Sequence, residues 1–436
     1  QREREREPIM TFRIIIIILL KLFGYFSDVI GGVFFPPDQP GHRAIIESFV
    51  VFGGAFLMRP VGGMVMGYIG DIYGTKVALV LSIFLMAFPT TLMGLLPGYQ
   101  AIGPLSPVIL IVIRLLQGLS VGGQFMSSMV YTLENHPHQQ WGFYGSLVMA
   151  TGCIGTFLGG VAGFIIRAIF NEEQVARYGW RIPFLLGFLV CIAGFYLRSH
   201  SYDSEKKEEP QQQQKDNNMN PIRMAFSAEN CPKLTSAIMV VMVWSGGYYL
   251  TFVWMAVYMA DLIDPPIPGA FGIASIASLI SCSVWFCYAG HLSDLYGRKI
   301  IMTVGGGCLG ISAPILIKII RHSGGNPWVS VTALTTQGIF LALWGAPMCS
   351  WLVEAFDERS RLTSVATGYN LAHAVAGGFS PSLATILVDK YGPDSPGYII
   401  SVFAAISMVG LFIAPNPQQQ QRILLHKKES FQIVPD

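Results

Sequence analysis

The chain has 436 residues, 52% of them hydrophobic and 12% charged, with a formal net charge of +2 and a mean hydropathy of +0.50. Soluble domains carry about 25% charged residues, so a water-soluble globule is excluded and an integral membrane protein is the default reading. The seven cysteines form no Cys-x-x-Cys pair and sit mostly inside apolar runs, which excludes a disulfide framework and a zinc site.

In chain order, twelve apolar stretches approach the ~20 residues that span a bilayer. They are Ile14–Phe35, Ala44–Ile69, Val77–Leu96, Pro107–Leu133, Trp141–Phe170 and Ile182–Leu197, then Leu234–Met259, Ala270–Leu292, Ile300–Ile320, Val329–Val353, Leu362–Val388 and Tyr398–Ala414. None alternates polar and apolar residues with the period of a barrel strand. Each is therefore predicted to be a helix, since lipid leaves the backbone no other way to satisfy itself. The first run continues too far for a cleaved leader, and no small-residue cleavage site follows it.

Between the sixth and seventh stretches lies Ser199–Asn220, charged, Gln-rich and almost without apolar residues. It cannot bury a core and reads as a water-exposed linker. The expected organisation is a six-helix bundle over 1–198, a linker over 199–222, a second six-helix bundle over 223–415 and a tail over 416–436. An even helix count places both tails and the linker on one side. That side holds 18 of the 28 Lys and Arg and the opposite side 6, so tails and linker are expected to be cytoplasmic. The bacterial inner membrane or another plasma membrane is the expected location.

Two decapeptides stand out. GYIGDIYGTK (Gly67–Lys76) and GHLSDLYGRK (Gly290–Lys299) share the first Gly, the Asp, the Tyr-Gly pair and the final Lys. Both fall at the cytoplasmic end of the second helix of a half. Duplicated six-helix halves are the build of one large transporter class. The phrase resembles the cytoplasmic-loop signature of the major facilitator superfamily, and RLLQGLSVGGQF (Arg114–Phe125), RPVGG (Arg59–Gly63) and GWRIPF (Gly179–Phe184) resemble its metabolite:proton symporter branch. The later residues Glu354, Arg361, Thr363, Asn370, Gly377, Gly378 and Pro381 fit the same branch. The resemblance runs from about Phe23 to Pro415. It implies an all-α membrane protein with twelve transmembrane helices in two pseudo-repeats, the major facilitator fold. The branch carries proline/betaine, α-ketoglutarate, citrate and shikimate, and LPGYQAIGPLSPVILIVIRLLQG leans toward the proline/betaine type.

What the resemblance implies for the decapeptides is a gate latch. The Gly permits close helix approach, the Asp accepts from a neighbouring helix N-terminus, and basic residues pair with acids across the mouth. The expected gate residues are Asp71, Lys76, Glu134, Asp294, Arg298, Lys299, Glu354 and Arg361. The family places an acid at the end of helix four or ten and an Arg seven residues on. The second half keeps this as Glu354 and Arg361, expected to be a pair, whereas the first half has Trp141 at the Arg position and Thr75 where a basic residue is usual. The second half of the latch thus reads as complete and the first as disarmed. The family's Glu after Gly-Gly is here Gln124, which cannot titrate, and its acidic and aromatic opening is replaced by RIIIIILLK.

Trp244, Tyr248, Tyr249 and Trp344 are candidate cavity aromatics, since ring faces suit quaternary ammonium groups; lipid contact or packing is the plainer reading of each. Asn370, and His373 near it, are expected at mid-depth. Helix four enters from outside near Pro107, so at 1.5 Å per residue Arg114 lies ~10 Å down, ~20 Å above the inner edge of a ~30 Å core. Helix one starts inside near Ile14, so Asp28 lies ~21 Å up, which puts the two charges at one level. Opposite charges at depth invite pairing, so Asp28 is the candidate proton-coupling acid and Arg114 its partner or a substrate anchor. A static brace is the simpler alternative. His136 and His138 have no further ligands for a metal. No phosphate-cradling loop or nucleophile elbow occurs, so no enzyme, cofactor or nucleic-acid partner is expected. The expected function is proton-coupled symport of a small zwitterion or carboxylate by a monomer in the bilayer. The alternative is a transporter-shaped sensor or non-transporting relative.

Overall fold

The computed structural model describes residues 26–36, 43–188 and 220–414. The Ile-rich run, residues 199–219 of the expected linker and the tail lie outside the described residues, as do the side chains of Ser27, Asp28 and residues 43–55. The helices are α1 (Ser27–Phe34), α2 (Arg43–Tyr73), α3 (Thr75–Leu95), α4 (Leu105–Glu134), α5 (Trp141–Ile169) and α6 (Arg181–Leu185). They continue as α7 (Cys231–Ala260), α8 (Ala270–Tyr296), α9 (Arg298–Arg321), α10 (Pro327–Glu354), α11 (Arg361–Tyr391) and α12 (Pro396–Ile413). Each predicted span overlaps one of these helices. Among the described residues nine, α3 to α5 and α7 to α12, are long and apolar enough to cross a membrane. The 31-residue α2 is long enough, while α1 and α6 are described over only eight and five residues.

Exposed apolar stripes identify the lipid faces. Leu57, Val61 and Val65 recur every four residues along α2, and Val304, Ile311 and Ile315 mark one side of α9. In water such patches would drive association; in lipid they face their own solvent. The opposite face of α2 carries Gly62, Gly63, Gly67 and Gly70. A Cβ on Gly62 would overlap the Leu119 carbonyl of α4, and one on Gly122 would overlap the Arg59 carbonyl of α2. Without side chains at these points the two backbones touch.

The Tyr-Gly pair of each decapeptide makes the turn into the next helix. Gly74 (φ 101°) precedes α3 and Gly297 (φ 96°) precedes α9. Only glycine adopts this backbone without strain. The helices before residue 189 meet those after residue 219 along a seam built mainly by α2 against α11 and by α5 against α8 and α10. Two helices at the seam widen to i→i+5 turns, α7 at Tyr249–Trp254 and α11 at His373–Gly377. Such turns are frequent at functional sites.

Candidate functional site

At the decapeptide end, each copy of the phrase reaches across the seam. The Asp71 carboxylate accepts from the backbone N–H groups of Leu362 (3.0 Å) and Thr363 (2.8 Å), in the first turn of α11. The Asp294 carboxylate accepts from Gly142 and Phe143, both at 2.8 Å, in the first turn of α5. Helix N-termini leave these donors without intrahelical partners, and the dipole favours a negative charge there. One turn before each Asp stands the first Gly of the phrase. A Cβ on Gly67 would lie 2.5 Å from the Thr363 Cα, and one on Gly290 would overlap the Gly142 carbonyl oxygen. The duplicated Gly and Asp are thus duplicated contacts between the two halves of the chain.

The ion pairs depart from expectation. Glu354 and Arg361 are not partners. Arg361 donates across the seam to Glu134 at 3.2 Å, and Glu134 also accepts from Thr75 Oγ1 at 3.4 Å. Arg298 donates within its own half to Glu354 at 3.3 Å and, by a short bond, to Asp294. Trp141, at the position equivalent to Arg361, donates its indole N–H to the His136 carbonyl and stacks near His138, whose Nε2 lies 3.9 Å from Glu354. The Arg361 guanidinium lies 6.0 Å from the Trp141 ring. The acid of the first half is thus served by the arginine of the other half, while Thr75 and Trp141 bring no charge of their own. Lys76 occupies the first turn of α3, and Lys299 ties α9 to the end of α12 by donating to the Ala414 carbonyl at 3.1 Å.

Further along the seam, α2, α4, α7 and α11 converge on a polar and aromatic cluster. Asn370 of α11 is buried and gives both amide hydrogens to the Gly122 and Ala366 carbonyls at 2.7 Å, which turns its Oδ1 toward Arg59 Nε of α2 at 3.4 Å. The Arg59 guanidinium lies 5.4 Å from the Phe56 ring, and that ring meets Tyr249 of α7 edge to face at 5.7 Å. Tyr249, Tyr248 and Trp244 continue the series at 5.8 Å and 5.4 Å, and the Trp244 indole donates to the Tyr369 hydroxyl at 3.4 Å. Tyr369 stacks on Phe125 of α4 at 5.2 Å and on His373 at 4.1 Å. The expected aromatics Trp244, Tyr248 and Tyr249 are thus brought together with Asn370. Trp344 is not: it is fully buried, packs over Gly306 and donates to the Val240 carbonyl at 3.0 Å.

Arg114 lies elsewhere. Buried between α3 and α4, it donates to Gln117 Oε1 at 2.8 Å and to Met93 Sδ at 3.6 Å, while Gln117 donates to Thr90 Oγ1 at 2.8 Å. These partners all belong to the first half of the chain, away from the α2–α11 contact. Asp28 is on α1, which packs against α4, and its side chain is outside the described residues. Gln124 is buried on α4, ten residues beyond Arg114.

Comparison with known proteins accords with this geometry. The family model described as Major Facilitator Superfamily matches residues 18–286 and again 268–435. The chain belongs to the Major Facilitator Superfamily. It is 32% identical over 403 residues to a Staphylococcus aureus (strain COL) protein named for proline/betaine transport, covering 90% of this chain and 83% of that protein. It is 29% identical to the citrate-proton symporter of Klebsiella pneumoniae, covering 88% and 85%. Among solved structures, the proton:xylose symporter XylE superposes with a TM-score of 0.75 at 14% identity, covering 94% of this chain and 96% of that one. A bacterial homologue of the iron transporter ferroportin gives 0.71 at 13% identity, covering 94% and 98%. These two likenesses are of fold.

Three residues of this transporter's seam were not singled out by sequence reasoning. Arg59 and Phe125 stand at the ends of the motifs RPVGG and RLLQGLSVGGQF without a role of their own, and Phe56 stands in an apolar run. The available signal was a charge twelve residues, ~18 Å at 1.5 Å per residue, from Asp71 on a helix whose loop end was already fixed. An ionisable group at that depth is a functional candidate by default.

Proposed function

We propose that the chain is a proton-coupled secondary active transporter of a small zwitterionic or carboxylate metabolite, with an osmolyte of the proline/betaine kind favoured over dicarboxylates. It works as a monomer of two six-helix bundles, 1–198 and 223–415, with linker 199–222 and tail 416–436 in the cytoplasm. The gate is formed by Asp71, Glu134, Asp294, Arg298, Glu354 and Arg361, supported by Lys76 and Lys299. The observation that carries the reading is the pair of carboxylates, Asp71 and Asp294, each capping a helix of the opposite half. Contacts of this kind are strong enough to close one mouth and weak enough to be remade, which alternating access between bundles needs.

Asp28 is the coupling acid in this reading. An Asp that pairs with a buried Arg and loses it when substrate arrives can take and release a proton. Arg114, held by Gln117 away from the α2–α11 contact, serves as the partner rather than as the substrate anchor. The sensor alternative draws on the first half of the latch and on Gln124, which cannot titrate; the Arg361–Glu134 pair speaks against the first of these. The test is uptake of labelled glycine betaine, proline and citrate into proteoliposomes with and without an imposed pH gradient. Accumulation of one of them driven by the gradient is expected. Absence of accumulation for all three, from protein that is folded and correctly inserted, overturns the reading.

A further inference from the structure

We infer that Arg59, oriented by Asn370, anchors the carboxylate of the substrate, and that Phe56, Tyr248 and Tyr249 receive its quaternary ammonium, so that the seam selects zwitterions. The inference rests on the transport reading above and assigns the chemistry of its substrate site.

Three observations lead to it. First, Arg59 is half-buried on the seam face of α2, opposite Leu57 and Val61, which face lipid. A charge at this depth is rare without a partner or a ligand. Second, its orientation is fixed from the far side. Asn370 has committed both amide hydrogens to carbonyls of α4 and α11, so its Oδ1 is held toward Arg59 Nε. A guanidinium fixed through Nε directs its two terminal nitrogens as a fork, the geometry that matches a carboxylate. Third, the rings next to it form a continuous series from α2 to α7, each within 6 Å of the next. Ring faces attract a methylated ammonium that no hydrogen bond could hold.

The combination discriminates between substrate classes. The cluster joins one guanidinium, Arg59, to the amide of Asn370, a series of rings and the buried His373. A zwitterion places one charge against each kind of group. A dicarboxylate would place its second carboxylate against ring faces, which carry the negative part of the quadrupole. A cation without a carboxylate would use the rings and leave Arg59 unanswered. Phe56 and Tyr249 belong to opposite halves, so the contact that parts to admit the ammonium is itself a contact of the seam.

The test uses the purified full-length chain, with glycine betaine, choline and citrate as probes and tryptophan emission as the binding readout. Trp244 adjoins the rings. Wild type is expected to bind betaine at least tenfold more tightly than choline, and both more tightly than citrate. Arg59→Gln is expected to weaken betaine at least tenfold, change choline less than twofold, and so collapse the ratio. Should Arg59→Gln not fold, Tyr249→Leu tests the other end of the site: betaine and choline are expected to weaken together, by about the same factor. An unchanged betaine-to-choline ratio in Arg59→Gln, unchanged affinities in Tyr249→Leu, or a wild-type preference for citrate overturns the inference. Any of these alongside gradient-driven uptake leaves the transport reading standing, whereas no uptake of any probe by wild type overturns that reading first.

Discussion

The two capping carboxylates should hold most of the closure at the decapeptide end. Replacing Asp71 by Ala removes two charge-assisted bonds to Leu362 and Thr363, at 3.0 and 2.8 Å, from a residue only 7% exposed. When this end opens, water takes over both the carboxylate and the two N–H groups, so only the net part of each bond counts. That part is about 1 kcal/mol per bond, and the dipole adds a few tenths. The sum, about 2 kcal/mol, corresponds to a shift of about 30-fold toward the open form. Asp71→Asn keeps an acceptor but loses the charge, and should shift the equilibrium by about a third to a half of that energy. Spin labels on the exposed positions Tyr73 and Glu358, across the same contact, would report the distance distribution. Asp294→Ala should act equally, with labels placed across α5 and α8. The reasoning fails if Asp71→Ala lengthens the distance no more than Ile72→Ala, a change at an exposed neighbour outside the cap.

The other contacts predict smaller or differently signed effects. Arg361→Ala should open the same end about two- to fivefold, the share of one partly exposed ion pair, while Trp141→Ala should do less; equal shifts would contradict the Arg361–Glu134 assignment. Trp141→Arg should add a second pair across the seam with Glu354 and favour closure by a similar factor, read by the same labels. Gly67→Ala and Gly290→Ala should each prevent closure, because the new Cβ meets backbone of the facing half. Uptake should fall to near background, whereas Gly307→Ala, with nothing within 4 Å, should transport normally. Asp28→Asn should abolish accumulation against a gradient across pH 5–8 and leave exchange of substrate at equal concentrations intact; a mutant with wild-type pH dependence would remove Asp28 as the coupling acid.

What could be read from the chain and what could not divide along a physical line. Span positions were legible because bilayer thickness fixes a length and a composition: Ala270–Leu292 was expected and α8 runs Ala270–Tyr296. The equivalence of Asp71 and Asp294 was legible because the phrase is repeated at equal places in two halves. Their receiving donors could be named only as a helix N-terminus, since which helix lies opposite is a property of packing. The Glu354–Arg361 expectation failed for a related reason. It assigned each acid to the arginine seven residues down its own half, whereas closure brings the end of α4 to the start of α11, and Arg361 finds Glu134. Arg59 was overlooked because a single charge beside a proline in an apolar run carries no periodic signal; only the approach of Asn370 from α11 singles it out. Trp344 and Trp244 look alike in sequence, and what separates them is that one indole is answered by a carbonyl of α7 and the other by a tyrosine hydroxyl in the cluster.

The asymmetry between the halves follows from the relative size of these terms. The backbone caps need nothing from the facing side chain. Leu362, Thr363, Gly142 and Phe143 contribute only their N–H groups. Substitutions at Leu362, Thr363 and Phe143 therefore keep the capping donors, provided the helix still begins there, whereas a side chain at Gly142 would meet the Gly290 carbonyl oxygen at 2.5 Å. The ion pairs are a second layer, each contributing about 0–1 kcal/mol where solvent reaches it. Trp141 in place of an arginine removes one such pair and adds an indole that packs on His138 and faces Arg361. Closure at this end loses about half or less of what one cap contributes, on the same scale. A chain can thus carry an incomplete set of basic residues in its duplicated loops and still close, because the two aspartates and the two glycines that bring the backbones together are complete in both copies.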